Sequence, residues 1–126
     1  MISSNRQHTL ATDLQFEGIG LHTGEQAQLR ILPGEANTGY VFVRKDLEGA
    51  PSIEAHISNV GETLRGTTLQ SGDVTVHTTE HVLAALYASG IDNAVLELDG
   101  PEVPILDGSA LPFMSQIEEV GSTEQE

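Results

Sequence analysis

The sequence predicts an α+β domain: a two-layer sandwich with a mostly antiparallel sheet of five to six strands and two helices packed on one face. Three observations predict it. Short stretches of alternating apolar and polar residues recur through most of the chain. Two stretches, near residues 79–89 and 110–120, carry helix start and stop residues at their ends. The 126 residues hold no internal repeat and no interior linker, so residues 1–126 read as one domain of ordinary size.

The elements follow in order. Residues 1–6 are polar and expected to be loose, and residues 7–10 form a candidate edge strand. Residues 16–24 contain Gly18, Gly20 and Gly24, which suits a bent strand or bulged turn. A phosphate-cradling loop is disfavoured there, because no helix pattern opens at Gly24. In residues 26–32, Ala27, Leu29 and Ile31 alternate with Gln28 and Arg30, the pattern of a half-buried strand. Residues 39–45 form a second strand, with Val41 and Val43 opposite Tyr40 and Phe42. Residues 46–51 turn, and residues 52–60 extend again. Residues 67–69 and 74–76 flank a polar turn and form a hairpin.

The first helix follows. Thr78 as N-cap places Thr79, Glu80 and His81 in the first turn, with Glu80 at the positive end of the helix dipole. The helix runs to about Ser89, and Gly90 suits the C′ position. Val82, Leu83, Ala84, Ala85, Leu86 and Ala88 surround it, and one sheet covers only one stripe of a helix. A second covering layer, from another helix or another domain, is therefore expected. Residues 93–98 are a strand. Pro101 and Pro104 stiffen residues 100–104. Ser109 is the expected N-cap of the second helix, Pro112 falls in its first turn, and Gly121 stops it. The acidic end, with Glu118, Glu119, Glu124 and Glu126, reads as frayed chain or the start of a linker.

Composition narrows the function. Nineteen Asp and Glu face five Lys and Arg, for a net charge of -14, and the basic residues are scattered. A nucleic-acid or anionic-lipid surface is not expected. There is no cysteine, so a metal would need His and carboxylate ligands. The lack of cysteine suits a reducing compartment, and a cytoplasmic location is expected. No leader pattern and no apolar run of membrane-spanning length is present.

The chemistry-bearing stretch is His77-Thr78-Thr79-Glu80-His81. A Glu beside a His at a helix start is suited to a general base next to a metal ligand. A dipole-favoured surface Glu and a half-packed His would look the same, and from the residues alone that bland reading is the favoured one of the two. The five residues also match the inverted zinc-peptidase pattern H-x-x-E-H. That pattern needs both histidines on one continuous helix. Two Thr favour a helix start over a helix interior, so His77 is expected before the cap. Asp107-Gly108-Ser109 reads as a turn into a helix cap, with Asp107 a further candidate polar group. His22 lies in the glycine-rich turn; His8 and His56 read as strand residues.

Several ordered pieces resemble a known family. They are Gly18-Ile19-Gly20-Leu21-His22-Thr23-Gly24, Ala36-Asn37-Thr38-Gly39, Thr79-Glu80-His81 with Leu83-Ala84-Ala85-Leu86, Gly90-Ile91-Asp92-Asn93, and Pro101-Glu102-Val103-Pro104-Ile105-Leu106-Asp107-Gly108-Ser109. Each is weak alone; together, across residues 5–120, they resemble the N-terminal domain of the UDP-3-O-acyl-N-acetylglucosamine deacetylases, zinc enzymes of lipid A synthesis. The resemblance implies two similar α+β domains with their helices sandwiched between the sheets. It implies hydrolysis of the substrate's acetamide, with His81 as a zinc ligand and Glu80 as the base that activates water. Leu64, Arg65 and Gly66 would then line the passage for the substrate's acyl chain. Thr79 stands where the family often has Val. The family's other zinc ligands and most UDP-binding residues lie in a C-terminal domain absent from these 126 residues. The chain alone is therefore expected to be inactive. Two alternatives stay open: a non-catalytic partner-binding domain of the same fold, and a self-contained zinc hydrolase using His77, His81 and Asp107.

Overall fold

The computed structural model describes residues 6–21, 23–55 and 68–125. Along the described chain run β1 (His8–Leu10), β2 (Leu14–Ile19), β3 (Gln26–Pro33), β4 (Tyr40–Arg44), β5 (Ser52–Glu54), β6 (Leu69–Ser71), β7 (Val74–Val76), α1 (Glu80–Ala88), β8 (Ala94–Leu98), α2 (Leu111–Val120) and β9 (Ser122–Glu124). The main sheet has the order β2-β3-β8-β4-β5. Only β4 and β8 pair in parallel within it; the other pairs are antiparallel. The expected α+β sandwich is the observed one.

Alternation sets the inner face of this sheet. Leu14, Ile31, Leu96, Phe42 and Ile53 stand side by side across all five strands and are buried. Gln15, Gln28 and Arg30 occupy the opposite, exposed face. The helices join the same core. α1 buries Val82, Ala85 and Leu86; α2 buries Phe113 and Ile117. The Phe113 ring meets Phe16 edge-on, with centroids 4.9 Å apart. Full burial of such a ring contributes about 1.5–3 kcal/mol, and the aromatic pair about 0.5–1.5 kcal/mol more.

The helix ends depart from expectation at their starts and match it at their stops. α1 ends as predicted: Gly90 has φ 76°, its amide donates to Tyr87, and the Ile91 amide donates to Leu86. That is a Schellman motif, and Ile91 and Leu86 are both buried in the core. Its N-cap is Thr79, not Thr78, and no side chain caps it. The Thr78 hydroxyl donates instead to Glu102. The N-cap of α2 is Ala110 rather than Ser109, although the Ser109 hydroxyl still accepts the Leu111 amide at 3.2 Å.

Two short ribbons flank the sheet. β6 and β7 form the expected hairpin. Arg44 pins it: the guanidinium leaves the inner sheet face, grips Asp46 at 2.9 and 2.7 Å, and donates to the Thr75 carbonyl at 2.8 Å. That guanidinium holds the Asp46 carboxyl below the usual carboxylate range. The second ribbon corrects the reading of the acidic end. Residues 122–124 are not frayed but form β9, paired with β1. β1 is thus not an edge of the main sheet. The buried Asn93 ties both ends together. Its amide donates to Gln7 and Gln125 at 2.9 and 2.8 Å, and its carbonyl accepts the Thr38 and Gly39 amides at 3.1 and 2.8 Å. The expected strand 52–60 is seen as Ser52–Glu54; its remainder from residue 56 lies outside the described residues.

Candidate active site

Glu80 and His81 are the first two residues of α1, and both are partly exposed. Glu80 sits in the first turn, where the helix dipole favours a carboxylate. The residues just before them fix the direction of the helix. Thr79 is fully buried, and its carbonyl accepts the Leu83 amide at 3.1 Å. Thr78 has φ 63°, a left-handed conformation uncommon for a β-branched residue.

His77 belongs to a different element. It forms a β-bridge with Glu102, its amide donates to Pro101 at 2.7 Å, and its carbonyl accepts the Val103 amide at 3.2 Å. Its Nδ1 lies 3.0 Å from the Thr68 hydroxyl. The left-handed step at Thr78 separates it from α1, so the i, i+4 pairing required by H-x-x-E-H is not made. Asp107 is exposed, and its Oδ1 accepts the Ser109 amide and hydroxyl at 3.0 and 2.7 Å, as a turn residue does. Among the described residues, no three His, Asp or Glu side chains come together as a metal site. A zinc ion needs about three protein ligands when it keeps an open position. The described residues therefore do not form a zinc site by themselves, and His81 supplies at most one ligand. Leu64, Arg65 and Gly66, like His22 and His56, lie outside the described residues.

Three segments converge on this corner: the glycine-rich turn after β2, the His77–Thr79 step, and the stiff loop after β8. Glu102 joins them. It is 1% exposed, accepts the Thr78 hydroxyl at 2.6 Å and accepts the Thr23 amide at 2.9 Å. Gly20 lies flush against it, so that a Cβ there would collide with the Glu102 carboxylate. The Gly20 amide and carbonyl close the turn through Glu25 and Gly24, each at 2.9 Å. In the sequence Glu102 stands in a proline-stiffened loop and in one of the pieces that resemble the family, with no role assigned to it. The available signal was a lone carboxylate followed by Val103-Pro104-Ile105-Leu106, where burial would demand donors.

The outward face of α1 is apolar and open. Ala84 and Ala88 are exposed, Tyr87 is 82% exposed, and Leu111 of α2 is 66% exposed. Of the two covers expected for this helix, another helix is present, since α2 packs against α1, and Ala84, Tyr87 and Ala88 still remain exposed.

The family described as UDP-3-O-acyl N-acetylglycosamine deacetylase matches residues 7–126. A UDP-3-O-acyl-N-acetylglucosamine deacetylase from Geobacter sp. (strain M21) is 56% identical over 115 residues, covering 91% of this chain and 38% of the relative. A bifunctional enzyme LpxC/FabZ from Chlorobaculum tepidum is 52% identical over 120 residues, 95% of this chain and 26% of the relative. A deacetylase from Nostoc sp. is 48% identical over 120 residues, 95% of this chain and 43% of the relative. The chain thus spans well under half the length of these relatives. On the match over residues 7–126, it belongs to the UDP-3-O-acyl N-acetylglycosamine deacetylase family.

Proposed function

We propose that this chain is the N-terminal portion of a zinc-dependent amide hydrolase. Its substrate is UDP-3-O-acyl-N-acetylglucosamine, and it releases acetate and the free amine in lipid A biosynthesis. The observation that carries the reading is the Glu80-His81 pair at the start of α1, in a chain whose family match spans residues 7–126. His81 would be one zinc ligand, and the others would come from a C-terminal domain outside these residues. Zinc, when bound, supplies Lewis-acid polarisation of the acetamide carbonyl. Glu80 takes a proton from the attacking water. Leu64, Arg65 and Gly66 line the acyl passage. The location is cytoplasmic, in line with the absence of cysteine. Among the described residues, no helix is long and apolar enough to cross a membrane.

The exposed Ala84, Tyr87 and Ala88 of α1 support a docking role for the second domain, and alone the chain would be inactive. The same face would serve a non-catalytic partner-binding domain, which would bind no zinc when the reading frame is complete. Glu80→Gln and His81→Ala in the polypeptide encoded by the full reading frame separate these readings. Glu80→Gln should lower the deacetylation rate by about 10²- to 10⁴-fold with zinc retained, and His81→Ala should lose the metal. A Glu80→Gln rate near wild type would remove Glu80 as the base.

A further inference from the structure

We infer that Glu102 is a positioning residue for the corner that presents Glu80 and His81. Its carboxylate holds Thr78 in the left-handed conformation from which α1 departs, and ties the glycine-rich turn to the same point. The inference rests on the proposed catalytic roles of Glu80 and His81.

Four observations carry it. Glu102 is 1% exposed, and a carboxylate loses much solvation when so deeply buried. An apolar side chain could fill the same space without that loss, so packing alone does not account for an acid at this position. Its two oxygens accept from donors on two separate segments, the Thr78 hydroxyl at 2.6 Å and the Thr23 amide at 2.9 Å. An apolar residue could not fix both distances. Thr78 would ordinarily cap the helix with its hydroxyl, yet α1 has no side-chain cap. The hydroxyl is diverted to Glu102 while the Thr78 backbone adopts φ 63°. Strain of this kind persists only where surrounding contacts over-determine it, and it concentrates at functional sites. Finally, the His77–Glu102 bridge sets the two backbones in register, with Pro101 and Val103 bonded to His77 on either side. The carboxylate is thus held at a defined distance from the point where the chain turns into α1. Two residues further on stands Glu80.

The consequence is geometric. Removing the Thr78–Glu102 bond lets residue 78 relax out of the left-handed region, which swings the first turn of α1. Glu80 and His81 then keep their chemistry and lose their aim. A misplacement of about 1 Å at reacting groups lowers rate by about 100-fold while leaving binding by remote groups in place.

The test uses the polypeptide encoded by the full reading frame. Glu102→Gln and Thr78→Val are near-isosteric and remove the acceptor charge or the donor; Thr78→Ser keeps the hydroxyl. We expect kcat to fall by about 10- to 100-fold in the first two, with KM within about twofold. Thr78→Ser should restore most of the rate. The double variant should be no slower than the slower single one, because both act on the same bond, Thr78→Val by removing its donor and Glu102→Gln by weakening its acceptor. Unchanged kcat with only a lowered Tm, or losses that multiply in the double variant, would overturn the inference. A second readout needs no activity. The Leu83 amide donates to Thr79 and the Gly121 amide to Ile117, so hydrogen exchange at these two reports on α1 and α2 separately. Glu102→Gln and Thr78→Val should speed exchange at Leu83 by about 10-fold and leave Gly121 unchanged. Equal exchange at Leu83 in wild type and variants would overturn the positioning role. A wild-type polypeptide without deacetylase activity would overturn the catalytic reading, leaving the exchange result to decide the geometry.

Discussion

A glycine at position 78 sets two opposed effects against each other. Thr78 holds φ 63°, which costs a β-branched residue about 1–2 kcal/mol relative to glycine. Thr78→Gly relieves that strain. It also removes the hydroxyl that donates to the buried Glu102 carboxylate at 2.6 Å. A hydrogen bond to a charged group contributes about 1.5–3 kcal/mol, and its loss leaves a buried acceptor short of a donor. Thr78 is 2% exposed, so the substitution also deletes a buried methyl, about 0.8 kcal/mol. The added freedom of the unfolded chain subtracts about 0.5–1 kcal/mol more. The losses exceed the relief, and the net destabilisation should be about 1–3 kcal/mol. Urea unfolding should show the midpoint falling by about 1 M, given a slope of roughly 1–3 kcal/mol/M. Thr78→Ser keeps the donor and the strain, and should shift the midpoint by less than about half as much. A Thr78→Gly variant as stable as wild type would show that the hydroxyl–carboxylate bond adds nothing beyond what water supplies. Glu102 could then not be what holds Thr78 in its left-handed conformation.

Other variants probe other joints. Gly20→Ala should destabilise by about 1–3 kcal/mol, since its Cβ would lie 2.6 Å from the Thr23 hydroxyl and against a carboxylate that is already held in place; a neutral result by urea melting would mean that the turn yields freely. Asn93→Ala should cost about 2–4 kcal/mol by the same assay, because it strips partners from the Gly39 amide and the Gln125 side chain in one step, and a shift below about 0.5 kcal/mol would refute this. Burial, reinforced by Asp92 and Tyr87, pushes the Tyr40 phenol up to about 12. A free tyrosine titrates near pH ~10, so the stability linked to the neutral phenol is complete below that and is lost as pH rises from about 10 towards 12. Between pH 9 and about 11.5, wild type should therefore lose more stability than Tyr40→Phe; parallel curves would refute the burial effect.

What the sequence determined by itself was local. Alternation in residues 26–32 and 39–45 identified two strands, and in the first also its apolar face, because a period of two is written in consecutive residues; that Phe42 rather than Val41 and Val43 is the buried side of the second was decided by the fold. Gly90 and Gly121 marked both helix ends, since each supplies a positive φ at the stop. The adjacency of Glu80 and His81 was visible, as was the separation of His77 from α1, because the intervening threonines resist helix interiors. Tertiary structure decided the rest. Thr78 looked like a cap and is not one, because its hydroxyl has a stronger acceptor 24 residues away in a buried carboxylate. The acidic end looked loose and is β9, because β1 offers it a ladder from the other end of the chain. The glycines of residues 16–24 read as a bent strand or bulged turn; Gly20 is there because Glu102 leaves no room for a Cβ. In each case the partner lies far along the chain, and only folding brings donor and acceptor, or strand and strand, within a hydrogen bond of each other.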